Sequence, residues 1–129
     1  MNEMTSFKPS YSASIDEARR ELHFVSSGFF DEEAMTGLQT EIGKVAAPFL
    51  SKGIRFRAFG DLSGYMVQTK EISDKMMIVL ERAEQIGIER VAIVIKSAIV
   101  RLQYARVSEG RNVKIFDNRD EALEWLRGK

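Results

Sequence analysis

The carboxyl-terminal segment from Arg90 to Lys129, RVAIVIKSAIVRLQYARVSEGRNVKIFDNRDEALEWLRGK, constrains the fold most. Val91–Ile95 is apolar at every position, as a strand covered on both faces must be. Ser97 is placed to cap a helix running to about Glu109, and Gly110 ends it. Val113–Phe116 predicts a last strand. Asp117 or Asn118 then caps a final helix, which docks through Ala122, Leu123, Trp125 and Leu126. Strand–helix–strand–helix is the building unit of a sheet with parallel strands.

The upstream residues extend the same pattern. Tyr11–Ile15 alternates apolar and small polar residues, and Glu21–Val25 follows with Leu22 and Phe24 on one face, so the two predict an antiparallel hairpin. Asp31 is a good N-cap, with Glu32 and Glu33 at the positive end of the helix dipole. Met35, Leu38, Ile42, Val45, Ala46 and Phe49 recur at helical spacing, with Pro48 near the helix end. Ile54, Phe56, Ala58 and Phe59 predict a third strand, and Gly60–Tyr65 reads as turn-rich. A long helix covers about Lys70 to Gln85, with Ile72, Met76, Val79, Leu80 and Ala83 inward and Gly87 as its stop. The expected class is α/β: a mostly parallel sheet with an antiparallel first strand and about four helices. Residues 1–9 are polar and aperiodic and predict a flexible leader, with a single domain over 10–129.

Composition narrows the use. The chain has 129 residues, 44% hydrophobic and 29% charged, enough to bury one core. Lys plus Arg balances Asp plus Glu at 19 each, which argues against a nucleic-acid binder that works by neutralising phosphates. There is no cysteine, so disulfides and thiolate ligands are excluded and a reducing, cytoplasmic setting is expected. The longest apolar run, VAIVI, is too short for a membrane span. One histidine, His23, with carboxylates scattered at helix starts offers no metal site and no nucleophile–base pair, so neither a cofactor nor catalysis is expected. His23 is out of phase with Leu22 and Phe24 and faces away from them. Arg55 and Arg57 share a face; they suit either a phosphate or a partner's carboxylates, or plain coverage of a solvent-facing or helix-lined edge, and the last reading is preferred.

At this point RVAIVIKSAI after the long helix and FDNRDEALEWL at the end make the chain resemble the STAS domain (sulfate transporter and anti-sigma-factor antagonist), nearest its SpoIIAA-like, STAS/SEC14-like branch. In the antagonists a serine within a pattern like DLS-x-x-D-S-S-G is phosphorylated at a helix start. This chain keeps Asp61-Leu62-Ser63, but Gly64–Thr69 lacks the Asp-Ser-Ser-Gly part, and Val67 stands at the serine position. The resemblance implies a non-enzymatic module that binds a regulatory protein or a second copy of itself around Asp61–Thr69 and the following helix. The alternative it implies is carriage of a small, lipid-like apolar ligand.

Sheets of this kind bind ligands outside the carboxyl ends of their parallel strands. That edge supplies the candidate residues: Phe29 and Phe30 after the second strand, Asp61, Ser63, Tyr65, Met66 and Thr69 after the third, and Lys96 and Ser97 after the fourth. Turn and cap chemistry asks for the same polar residues. The loop apolars Phe29, Phe30, Tyr65 and Met66 either cap the core or form a contact surface or pocket wall.

Overall fold

The computed structural model describes residues 7–128. Five strands and four helices alternate: β1 (Ser10–Asp16), β2 (Glu21–Gly28), α1 (Glu32–Leu50), β3 (Phe56–Tyr65), α2 (Lys70–Gln85), β4 (Ile88–Val94), α3 (Ala98–Val107), β5 (Val113–Phe116) and α4 (Arg119–Arg127). The sheet order is β1-β2-β3-β4-β5. β1 runs antiparallel to β2 and the other pairs are parallel, as the alternation of strands and helices predicts. Of the expected leader, residues 1–6 lie outside the described part. The backbone of Phe7 already joins the fold, since its carbonyl accepts from Phe29 N at 2.9 Å.

Successive right-handed crossovers that step in one direction put their helices on one face. The main core therefore lies between α1, α2 and α3 and the inner face of the sheet. It joins Leu22, Phe24, Ala58, Leu62, Val91, Ile93 and Ile95 to Met35, Leu38, Phe49, Ile72, Met76, Leu80, Val100, Tyr104 and Val107. α4 folds back on the other face, where Ala122 and Leu126 cover Phe59, Ala92 and Val94. From Val91 to Val94, β4 is apolar at every position because helices cover both of its faces there. Trp125, expected to dock, is half-buried; its ring rests against Phe116 at 5.8 Å and under the Arg90 guanidinium at 5.1 Å.

Gly60–Tyr65 is strand rather than turn. A side chain on Gly60 would collide with the Phe24 ring, whose nearest atom lies 2.4 Å from the Cβ position, so this glycine makes room for the ring of its cross-strand neighbour. Asp61 and Ser63 alternate onto the outer face, which tolerates polar residues where α4 does not reach. The register slips between Val25 and Ser27, a bulge that places one extra β3 residue opposite β2. It returns Tyr65 to the inner face, where the ring is buried.

The second helix face is tied down by charge. Glu21 is 2% exposed and receives two bonds from Arg127, Nε at 2.8 Å and Nη2 at 3.0 Å. His23 Nε2 lies 2.9 Å from the same carboxylate, and the His23 ring packs edge-on against Phe59 at 5.6 Å. Burial alone would raise the Glu21 carboxyl, but the hydrogen bonds from Arg127 and His23 and the charge of Arg127 outweigh it and hold the carboxyl below its ordinary value. Arg57 Nη1 donates to the carbonyls of Leu126 and Gly128, and Arg90 Nη1 donates to that of Trp125. These guanidiniums add donors at the carbonyls of the last turn and C-cap of α4, where the helix dipole is negative. Arg57 therefore has a structural task, and Arg55 is the exposed member of the pair.

Candidate functional site

The carboxyl edge of the sheet is organised by a residue the sequence reading passed over, Gln68. Its side chain is buried. Oε1 accepts from Phe30 N at 2.8 Å, while Nε2 donates to the carbonyls of Gly28 at 3.0 Å and Met66 at 2.7 Å. The side-chain amide of Gln103 on α3 brackets the Gln68 backbone in turn. Gln68 N donates to Gln103 Oε1, and Gln103 Nε2 donates to Gln68 O, both at 2.8 Å. Two glutamines thus fasten the β2–α1 loop to the β3–α2 loop and that loop to α3. Nothing local in the sequence marks them, because their partners are backbone groups up to forty residues away.

The candidate residues do not converge on one site. Phe30 is 1% exposed and Tyr65 is also buried; their rings lie 5.6 Å apart, and Tyr65 meets Tyr104 edge-on at 6.3 Å. Both belong to the core, so of the two readings open for these loop apolars they fit core capping: Gln68 pins Phe30 inward, and the bulge turns Tyr65 inward. Burial pushes both tyrosine hydroxyls well above their ordinary pKa. Phe29 stays exposed and Met66 is half-buried. Asp61 Oδ1 accepts from Ser63 N at 3.0 Å and Ser63 Oγ at 2.7 Å, a local loop on the outer face. Thr69 caps α2, accepting from Ile72 N at 3.2 Å, and Ser97 caps α3, accepting from Val100 N at 3.4 Å. Lys96 is exposed beside Ser97. Thr69 and Ser97 therefore perform the capping work their residue types also suit, and Asp61 and Ser63 bond to each other.

A different feature stands out on α3. Val100, Tyr104 and Val107 face the core, and this leaves Ile99 at 66% and Leu102 at 60% exposure on the outside. Val67 and Met77 are exposed as well. The Gln68–Gln103 pairing brings the Val67 loop against α3, and Met77 lines the α2–α3 groove with Gln103 and Arg106. The helix bears Arg101 and Arg106 and no acidic residue. Exposed aliphatic side chains grouped beside a polar rim mark contact surfaces. The helical spacing of Val100, Tyr104 and Val107 leaves Ile99 and Leu102 off the core stripe, and it was the signal available for this surface.

Among the described residues, no group of His, Cys, Asp and Glu is gathered to hold a metal ion. No described helix is long and apolar enough to cross a membrane. The apolar groove between α1 and α2, walled by Ile42, Val79, Ala83, Ile86 and Ile88, holds about 190 Å³.

No family model matches the chain, and no curated protein matches it. Solved structures do. An uncharacterised protein of the DUF3478 family with a SpoIIAA-like fold, from Shewanella loihica PV-4, superposes with a TM-score of 0.65 at 18% identity, over 92% of this chain and 95% of that one. SLC26A9 superposes with a TM-score of 0.63 at 13% identity, over 84% of this chain but only 20% of its own length. With its five-stranded sheet, antiparallel at β1 and otherwise parallel, and its four helices, the chain has a SpoIIAA-like fold.

Proposed function

We propose that this domain is a non-enzymatic binding module that acts by contact with another protein through the outer face of α3. The observation that carries the reading is the pair Ile99 and Leu102, each more than half exposed on a helix whose charges are all positive. Two such helices from two copies would oppose like charges, so the surface suits a regulatory protein with an apolar patch ringed by carboxylates better than a second copy. The alternative, carriage of a lipid-like ligand, has less support: the 190 Å³ groove between α1 and α2 falls below the ~300 Å³ at which pockets for drug-sized ligands begin, and the larger α2–α3 groove of about 410 Å³ is lined by Lys70, Asp74, Gln103 and Arg106.

The test has two parts. A native mass spectrum of freshly purified protein should show the bare chain; a stoichiometric apolar mass would replace contact with carriage. Affinity capture with the wild type and with an Ile99→Asp/Leu102→Asp variant should yield a stoichiometric protein that only the wild type retains. Equal retention by both would refute the α3 surface.

A further inference from the structure

The opposite rim of the sheet, where the parallel strands begin, contains a cleft of about 740 Å³. Three parts of the chain converge on it: Arg19 and Arg20 from the β1–β2 turn, Arg55 and Arg57 at the start of β3, and Arg127 at the end of α4. Five guanidiniums therefore face two lining carboxylates, Glu21 and Glu89. In a chain whose formal net charge is zero, this is a local concentration of positive charge.

The pairing inside the cleft is incomplete. Arg127 fully occupies Glu21 through two short bonds. Glu89 is shared, 3.3 Å from Arg55 Nε and 3.4 Å from Arg57 Nε, and the Arg55 side chain is 66% exposed. Arg19 reaches outward to Asp16 at 3.3 Å. Long pairs between exposed groups contribute little in water. The Arg20 guanidinium has no ion pair among the described residues. Arg20 and Arg55 thus flank the cleft with most of their hydrogen-bonding capacity unused. A guanidinium fork binds oxyanions bidentately, and a phosphate dianion offers three oxygens to several forks at once, where a carboxylate offers two.

We propose that this cleft binds a phosphate-bearing ligand, with Arg20 and Arg55 as the recruiting residues and Arg57 held in place behind them by the α4 carbonyls. The site lies at the other end of the strands from the α3 surface and does not depend on it.

The experiment is a titration of the full chain with inorganic pyrophosphate, followed by amide chemical shifts, against sodium chloride at matched ionic strength. Pyrophosphate should move the Arg19, Arg20 and Gly53–Arg57 amides saturably. An Arg20→Gln/Arg55→Gln variant should weaken the response about tenfold or more, as loss of charged hydrogen bonds does. Its unfolding midpoint should stay near the parent's, because both side chains are exposed. Shifts no larger than those in chloride, or shifts unaffected by the double variant, would overturn the proposal. A second arm uses phosphatidylcholine vesicles carrying a minority of phosphatidylinositol phosphate. Co-sedimentation that the variant loses would identify a lipid headgroup as the phosphate source. Saturable pyrophosphate shifts without co-sedimentation would identify a soluble phosphorylated molecule.

Discussion

Replacing Arg127 by Met tests how α4 is held to the sheet. The substitution keeps most of the side-chain volume and removes both bonds to Glu21, leaving a carboxylate that is 2% exposed with only His23 beside it. Breaking a fully buried pair costs about 3–5 kcal/mol. Arg127 is itself 37% exposed, so water screens the pair and the expected loss is about 2–3 kcal/mol. The acid side of the profile adds a second signature. In the parent, the folded pKa of Glu21 is depressed, so its stabilisation is complete above the ordinary carboxylate range and fades as pH falls through the folded value. In the variant the main attraction is gone and burial remains, so protonation of Glu21 relieves the penalty. Urea denaturation should show a gap of about 2–3 kcal/mol near pH 7 that narrows on acidification below about pH 5. A gap under about 1 kcal/mol, or one that widens in acid, would refute the role given to the pair.

Gln68→Ala should cost about 1–3 kcal/mol, because Phe30 N is left buried without an acceptor, and hydrogen exchange should accelerate at Phe30; unchanged exchange there would show that the glutamine does not hold the loop. Leu126→Ala, at 0% exposure, should cost about 2–5 kcal/mol and exceed Trp125→Ala, whose half-buried ring should cost about 1–2 kcal/mol; denaturation midpoints would show the reverse order if α4 were rotated about its axis. An antagonist-type kinase should add no phosphate to the start of α2, since Val67 stands where its serine would be; a stoichiometric mass increase on Ser63 or Thr69 would contradict this.

The architecture was legible because its signals are local. Asp31, Ser97 and Asn118 cap their helices as the residue types suggest, and the all-apolar Val91–Ile95 identified β4, the strand with helices on both faces. The site was less legible because its determinants are distant. Gly60–Tyr65 resembles a turn until Phe24 is placed over Gly60 and Asp61 and Ser63 are placed on a face that α4 leaves open. Phe30 and Tyr65 read as loop apolars until a glutamine and a bulge turn them inward. The Arg55–Arg57 pair divides in the same way, one side chain capping a helix seventy residues later in the chain and the other lying in solvent.

Hydrogen–deuterium exchange of the captured complex against the free domain measures where a partner protein sits. Exchange should slow in α3 and in the Val67–Thr69 loop, with the β1 and β2 amides unchanged. Slowed exchange confined to β1 and β2, with α3 exchanging as in the free domain, would contradict contact through α3.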